Sequence, residues 1–140
     1  PIPASIVELA VVWFWHMPLV HLAAGTTWLM AVAEQASFAT AGWFLWASCV
    51  GGPRDAHARA AAGTGALLFT SMHMTLLGAL FALTPRVLYA HHATTAGTLD
   101  DQHLGGVVML LVGGGSYLLG GLWLVRRLLA PPVAAPEGAA

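Results

Sequence analysis

The 140-residue sequence has no lysine and few charged residues of any kind. Charged side chains make up only 8% of it, whereas 58% of the residues are hydrophobic. An ordinary soluble domain carries roughly 25% charged residues. A soluble fold of this size must cover a large surface with polar groups, which this composition cannot supply. The sequence therefore predicts an integral membrane protein in contact with a lipid bilayer.

Other shortages exclude further classes of protein. Five arginines are balanced by six acidic residues, so the chain lacks the basic face that nucleic acid requires. Cys49 is the single cysteine, which excludes an internal disulfide and a CxxC metal or redox motif. The sequence shows no nucleophile–base pair, and we therefore do not expect an enzyme.

Long apolar runs predict an all-α bundle of about four helices, with three full spans and a shorter or truncated first helix. A bilayer-spanning helix needs about 20 mostly apolar residues, and we expect such helices at residues 23–50, 59–83 and 103–129. The first helix, at 2–17, stops before Pro18, which lacks an amide donor and favours a break or kink. The bundle occupies residues 2–129, and residues 130–140 have too little apolar bulk to pack and are expected to be a disordered tail.

The arginines predict how the bundle is oriented. Four of the five flank the connection between the second and third helices or end the last helix: Arg54, Arg59, Arg126 and Arg127. With three full spans after residue 23 these four share one side, which the positive-inside rule assigns to the cytoplasm. We therefore expect a multi-pass protein of the bacterial inner membrane, with His16 and His103 at its outer face.

The last predicted helix carries regularly spaced glycines. Gly106, Gly113 and Gly120 recur every seven residues, and Gly114 and Gly121 form a second pair at that interval. Helices in lipid associate through close backbone approach, so small residues mark a contact surface. A seven-residue repeat keeps that surface facing one neighbour. The glycines therefore predict packing against another helix rather than a phosphate-binding loop.

The seven histidines are many for a chain with so few charged groups. Histidine binds copper, zinc and haem iron, and methionine adds a thioether suited to cuprous copper. His16 and His103 are the first candidate metal ligands, and His21, His73 and Met72 are secondary ones. For His16 and His21, a position at the membrane interface would by itself explain either residue.

His73 lies deepest, at ~15 Å from the outer end of its helix at a rise of 1.5 Å per residue. An ionisable group at that depth is costly and by default indicates a functional site. The alternative is an interhelical hydrogen bond, with Glu34, Gln35 or Thr70 as its partner. A further acid, Glu8, either handles protons or pairs with a histidine.

The methionines that flank His73 cannot both join it. Successive residues turn by about 100° on a helix, so Met72 and Met74 diverge by ~200°. At most one of them shares a face with His73, and the "MHM" triplet is weaker than it looks as a metal motif.

Four motifs, in order along the chain, resemble CtaG-type cytochrome c oxidase assembly factors. They are "VVWFWHMP" at 11–18, "QASF" at 35–38 followed by "GWFLW" at 42–46, "LLGALFALTPRVLY" at 76–89, and "LDDQHLGGVVM" at 99–109. The resemblance covers nearly the whole chain, but only the carboxyl-terminal half of a typical family member. It implies a multi-helix membrane protein that helps haem–copper oxidases mature, through copper delivery.

The resemblance carries over to three positions, His16, Asp101 and Gln102. Asp101 is expected to cap the last helix and to orient a neighbouring imidazole by a hydrogen bond. Two positions depart from the family pattern: Gln35 stands where a histidine is common, and His103 where a second glutamine is common.

Together these features favour copper handling at the outer membrane face for a cytochrome c oxidase, with oxidase subunits as partners. One alternative is a non-catalytic accessory subunit of a terminal oxidase or another respiratory complex, without a cofactor. A third interpretation is a haem b cytochrome, which needs two histidines at equal depth on facing helices.

Overall fold

The computed structural model describes residues 1–50, 56–88 and 98–130, and these residues are helical with no strand among them. The helices are α1 (Ile2–Trp15), α2 (Pro18–Ala24), α3 (Trp28–Val50), α4 (Ala56–Leu83), α5 (Thr98–Val108) and α6 (Gly115–Leu129). A π-helical segment, Met109–Gly114, joins α5 to α6 so that the three form one continuous helix. The all-α fold class is thus confirmed. Arg54 and all but the first residue of the predicted tail lie outside the described residues.

Two helices in the described ranges are long and apolar enough to cross a membrane. They are Ala56–Leu83 and the continuous helix Leu99–Leu129, and the bent pair α1–α2 makes a third if it counts as one span. These apolar helices associate the protein with a membrane, as predicted. Helix α3 has the length of a span at 23 residues, but it is not apolar enough to count as one. Polar residues such as Glu34, Gln35 and Ser37 lower its mean hydropathy, so three full spans after residue 23 are not confirmed.

The predicted break at Pro18 is confirmed, and it separates two helices rather than bending one. Helix α2 starts at Pro18, where a missing amide hydrogen costs nothing because first-turn amides have no helical partner. Met17 before it is extended, at φ −66° and ψ 133°, as residues that precede proline usually are. The axes of α1 and α2 differ by 77°.

Helix α3 begins at Trp28 and not at residue 23 as predicted. Residues 18–24 form the separate helix α2, which ends at Gly25. The Thr27 hydroxyl then accepts a hydrogen bond from the Met30 amide at 3.3 Å, which is how threonine caps the start of a helix. The prediction followed the apolar run and overlooked two signals in "GTT" at 25–27: Gly25, which ends α2, and Thr27, which caps the start of α3.

Helix α5 begins at Thr98, five residues before the predicted start. Asp100 and Asp101 therefore lie inside its first turn, where a carboxylate interacts favourably with the positive end of the helix dipole. The prediction that Asp101 caps this helix is wrong, because the helix has already started when the chain reaches it.

The predicted glycine surface is confirmed, and its main neighbour is α4. A Cβ atom on Gly106 would lie 2.7 Å from the carbonyl oxygen of Gly78, and one on Gly114 would lie 2.6 Å from Oγ1 of Thr75. Gly121 packs in the same way on Leu68 of α4. The Ser71 hydroxyl also donates to the Gly114 carbonyl at 2.8 Å. The two helices therefore meet backbone to backbone along most of their length.

This antiparallel packing gives the bundle two distinct ends. At one end Arg59 of α4 lies near the end of α6, which carries Arg126 and Arg127, because Gly63 of α4 packs on Leu124 of α6. We call this the arginine end. The opposite end contains the last turn of α1, the last turn of α4 and the start of α5.

We expect Gly106→Ala to destabilise the bundle by about 1–3 kcal/mol, the usual cost of overpacking. Its Cβ would meet backbone atoms, the Ala82 nitrogen at 2.5 Å and the Gly78 oxygen at 2.7 Å, so the helices would have to separate. The matched control is Gly105→Ala, because nothing lies within 4 Å of that Cβ, and alanine favours a helix by roughly 0.5–1 kcal/mol over glycine. Chemical unfolding in detergent measures both, and equal effects of the two variants would contradict the packing account.

Candidate functional site: a cavity lined by histidine and methionine

The bundle contains a cavity of about 430 Å³ whose lining extends to the end of the bundle away from the arginines. Residues from every helix line it: Glu8, Val12, His16, His21, Phe38, Ala41, Met74, Phe81, Gln102, Gly105, Gly106, Val108, Met109 and Tyr117. Between Gln102 and Tyr117 the chain advances roughly 20 Å along the helix axis. We call the part with His16, His21 and Gln102 the mouth and the part with Glu8 and Tyr117 the floor.

His16 is held at the mouth by its own helix and by two aromatic rings. It is the residue that ends α1, and its Nδ1 lies 2.7 Å from the Val12 carbonyl oxygen. Because a carbonyl only accepts, Nδ1 carries a proton and donates this hydrogen bond. The imidazole centroid lies 5.9 Å from that of Phe38 and 5.6 Å from that of Phe81. A backbone carbonyl on one ring nitrogen is the arrangement that usually orients a metal-binding histidine.

Gln102 also lies at the mouth, and it organises the chain that leaves α4. Its Oε1 accepts from the Leu88 amide at 2.8 Å, and its Nε2 donates to the Arg86 carbonyl at 3.2 Å. The next residue, His103, donates from Nε2 to the Thr84 carbonyl at 2.9 Å. His16 packs on Phe81 in the last turn of α4, and His103 bonds Thr84 directly after that helix, so the two histidines lie at the same end of the bundle.

The floor contains a buried acid–base pair. Glu8 Oε2 lies 3.1 Å from Nε2 of His73, and each residue is only 3% exposed. The two atoms are in contact but are not aligned as a hydrogen bond. The Tyr117 phenol hydrogen-bonds the same carboxylate and stacks on Trp46 with 5.9 Å between ring centroids. An acidic side chain of α1 and a basic side chain of α4 are thus paired inside the apolar bundle.

This pair decides between the readings of His73. The partner of His73 is Glu8 of α1. The expected alternative was a hydrogen bond to Glu34, Gln35 or Thr70. Since an acid rather than a second histidine faces Nε2, the arrangement that a haem b cytochrome needs does not occur at His73. The pairing of Glu8 with a histidine is one of its two expected roles.

The structure brings only part of the predicted ligand set together. His16 and His21 line the cavity, and Gln102 lies beside them. His103 and Asp101 are near the mouth in sequence but do not line the cavity, and Asp101 is exposed. Met72 is 62% exposed on the outer surface of α4, so it does not reach the site. The bond that orients His16 comes from a backbone carbonyl, not from Asp101.

Two cavity residues were missed by the sequence prediction, Met74 and Met109. Their spacing carried a signal. Met74 lies three residues before Leu77 and seven before Phe81, which are both buried, so it continues the inner face of α4. Met109 follows Gly106 by three residues and precedes Gly113 by four, which puts it beside the glycine surface.

The donor set does not resemble a closed metal site. Within residues 1–50, 56–88 and 98–130, no three His, Cys, Asp or Glu side chains are grouped closely enough to hold a metal ion. What the cavity offers is two imidazoles at the mouth and two thioethers further in, with a carboxylate at the floor.

A family model described as cytochrome c oxidase caa3 assembly factor matches residues 1–130. The match takes in every helix and the whole cavity. The chain belongs to the cytochrome c oxidase caa3 assembly factor family. Comparisons with curated proteins and with solved structures give no match. Membership supports involvement in cytochrome c oxidase biogenesis and a non-catalytic role, in agreement with the resemblance seen in the sequence.

We expect His73→Ala to lower the free energy of unfolding by about 3–5 kcal/mol, because it leaves Glu8 buried without its partner. The double variant Glu8→Gln/His73→Ala is expected to lose clearly less than the sum of the two single variants. The exposed His57 gives the control His57→Ala, which should stay within about 0.5 kcal/mol of the parent. Additive losses in a double-mutant cycle would show that the two side chains do not interact.

Proposed function

We propose that this protein handles copper during the biogenesis of a haem–copper cytochrome c oxidase, as a multi-pass protein of the bacterial inner membrane. The family supports the link to oxidase assembly. Support for copper as the cargo comes from the cavity, because imidazole and thioether groups line the same space and both are ligands that copper accepts.

The orientation follows from the two ends of the bundle. Arginine-rich ends stay in the cytoplasm under the positive-inside rule, and Arg126 and Arg127 lie at the end opposite the mouth. The mouth, with His16 and His21, then faces outward. Copper enters and leaves at that face, where oxidase subunits are the proposed partners.

The scarcity of ligands is consistent with a transfer role. Structural metal sites are closed by four protein ligands, whereas a carrier must give its ion up. His16 provides the first ligand through Nε2, and His21 lies close to it on α2. His103 remains a proposed ligand at the rim, since its bond to Thr84 uses Nε2 and leaves the lone pair on Nδ1.

The single observation that carries this proposal is the placement of His16. Its Nδ1 is fixed by the Val12 carbonyl at 2.7 Å, and the ring lies at the mouth of a cavity that histidines and methionines line together. An interfacial histidine without a metal role would need neither feature.

The test is made in cells that produce the oxidase under limiting copper. His16→Ala should lower the copper content of the purified oxidase several-fold, while His57→Ala should leave it unchanged, because His57 is exposed and remote from the cavity. The amount of each variant in the membrane is measured in parallel, so that loss of the protein is not mistaken for loss of copper transfer.

Full copper loading of the oxidase with His16→Ala, at normal protein levels, would overturn the proposal. If the parent protein then purified with the oxidase at a fixed ratio and without metal, it would be an accessory subunit.

A further inference from the structure

The side chains of Met74 and Met109 both lie close to one glycine, Gly113. A Cβ atom on Gly113 would be 2.6 Å from Cε of Met74 and 3.9 Å from Cγ of Met109. The distance between Cε of Met74 and Cγ of Met109 therefore cannot exceed the sum of these two distances. Both residues also line the cavity, so their thioethers share one small region of its wall.

The backbone around this region is specialised. Met109 is the first residue of the π-helical segment Met109–Gly114, and such interruptions of an α-helix occur frequently at functional sites. The segment keeps Gly114 against Thr75 and Ser71 of α4. The space that a side chain on Gly113 would fill is taken by the tip of Met74. Met74 is thus held against the wall that carries Met109.

The charge on the cavity wall favours a cation. Of the residues that line it, Glu8 is the one acid, and no arginine is among them. Bringing an ion into apolar surroundings is costly unless an opposite charge is near. Glu8 at the floor is the acidic side chain of the lining, and it also faces His73 at 3.1 Å. The neighbouring walls are apolar, with Val12, Phe38 and Phe81.

The ligand type limits which cation fits. Thioethers are soft ligands that select Cu(I), whereas carboxylates, carbonyls and water suit magnesium, calcium and manganese. The described residues hold no cluster of three His, Cys, Asp or Glu, so a divalent ion would find too few of the ligands it prefers.

We propose that Met74 and Met109 form an interior site for a soft monovalent cation, Cu(I), deeper in the cavity than the histidines of the mouth. This inference rests on the proposed copper function and deepens it, because it assigns the oxidation state of the cargo and two ligands. Copper passes the mouth at His16 and is held between the two thioethers. No change of oxidation state occurs in the protein.

Silver(I) is the probe, because it is a soft monovalent ion that does not change oxidation state under these conditions. The full chain is purified in detergent with methionine labelled by carbon-13 in its methyl group. Its five methionines give five methyl signals in an NMR spectrum, each assigned by a Met→Leu variant. Saturating Ag⁺ at one equivalent should shift the signals of Met74 and Met109. The signals of Met72 and Met30, which are exposed, should not move, and Zn²⁺ should shift none of the five.

Binding constants of variants give the second readout. Met74→Leu and Met109→Leu conserve volume, a change that costs little stability, and each should weaken Ag⁺ binding at least tenfold. Met72→Leu is the matched control, two residues from Met74 on the opposite side of the same helix, and should bind as the parent does. Gly113→Ala should also weaken binding, because its Cβ displaces the flexible tip of Met74 and leaves the helix intact.

Equal shifts of all five methyl signals, or unchanged Ag⁺ affinity in Met74→Leu and Met109→Leu, would overturn the interior site. If that happened while His16→Ala still lowered the copper content of the oxidase, the copper function would stand and only this site would fail. If Ag⁺ bound at the two thioethers but oxidase copper did not depend on the protein, the site would stand and the proposed function would fail.

Discussion

The backbone contact between α4 and the glycine surface of the α5–α6 helix is the constraint on which the site depends. In a membrane, lipid competes for apolar side chains, so helices gain little from burying them and associate through close packing. Glycine at positions such as Gly106 and Gly114 lets the two backbones touch. That contact fixes the rotation of α4 about its axis. As a result His73 faces α1, Met74 faces the cavity and Met72 faces outward, since neighbouring residues differ by about 100°.

The interior is divided by polarity. One apolar cluster, around Leu45, Leu67 and Leu124, lies toward the arginine end, and another contains Val12, Leu77 and Phe81 beside the cavity. Glu8 and His73 are buried between these clusters, with Ser5, Thr70 and Ser71. Ionisable groups inside a membrane protein are expensive and are kept where they pair or serve a function. The pair closes the cavity with a polar floor that apolar side chains could not provide.

Composition and periodicity were enough to predict the helical class, the break at Pro18 and the glycine contact. These features depend on local rules: the hydrophobicity of a run, the missing amide of proline and the seven-residue spacing. The start of α3 was missed because an apolar run hid the caps at Gly25 and Thr27.

The candidate site could be predicted only in part, because it depends on which helices meet. His16 was found from its motif, but the partner of His73 was not, since Glu8 is 65 positions away in sequence and only tertiary packing brings the two to 3.1 Å. Which of Met72 and Met74 lines the cavity could not be predicted for the same reason. The sequence shows that the two diverge, but the rotation of α4 decides which one points inward.

The 77° angle between α1 and α2 separates α2, which borders the mouth, from the long helices of the bundle. The seven residues of α2, which include His21, run across the bundle axis. Helix α2 packs on α3 and α1, whereas the glycine surface packs on α4. His21 therefore reaches the mouth from a helix that crosses the bundle, and His16 reaches it from the end of a helix that runs along it.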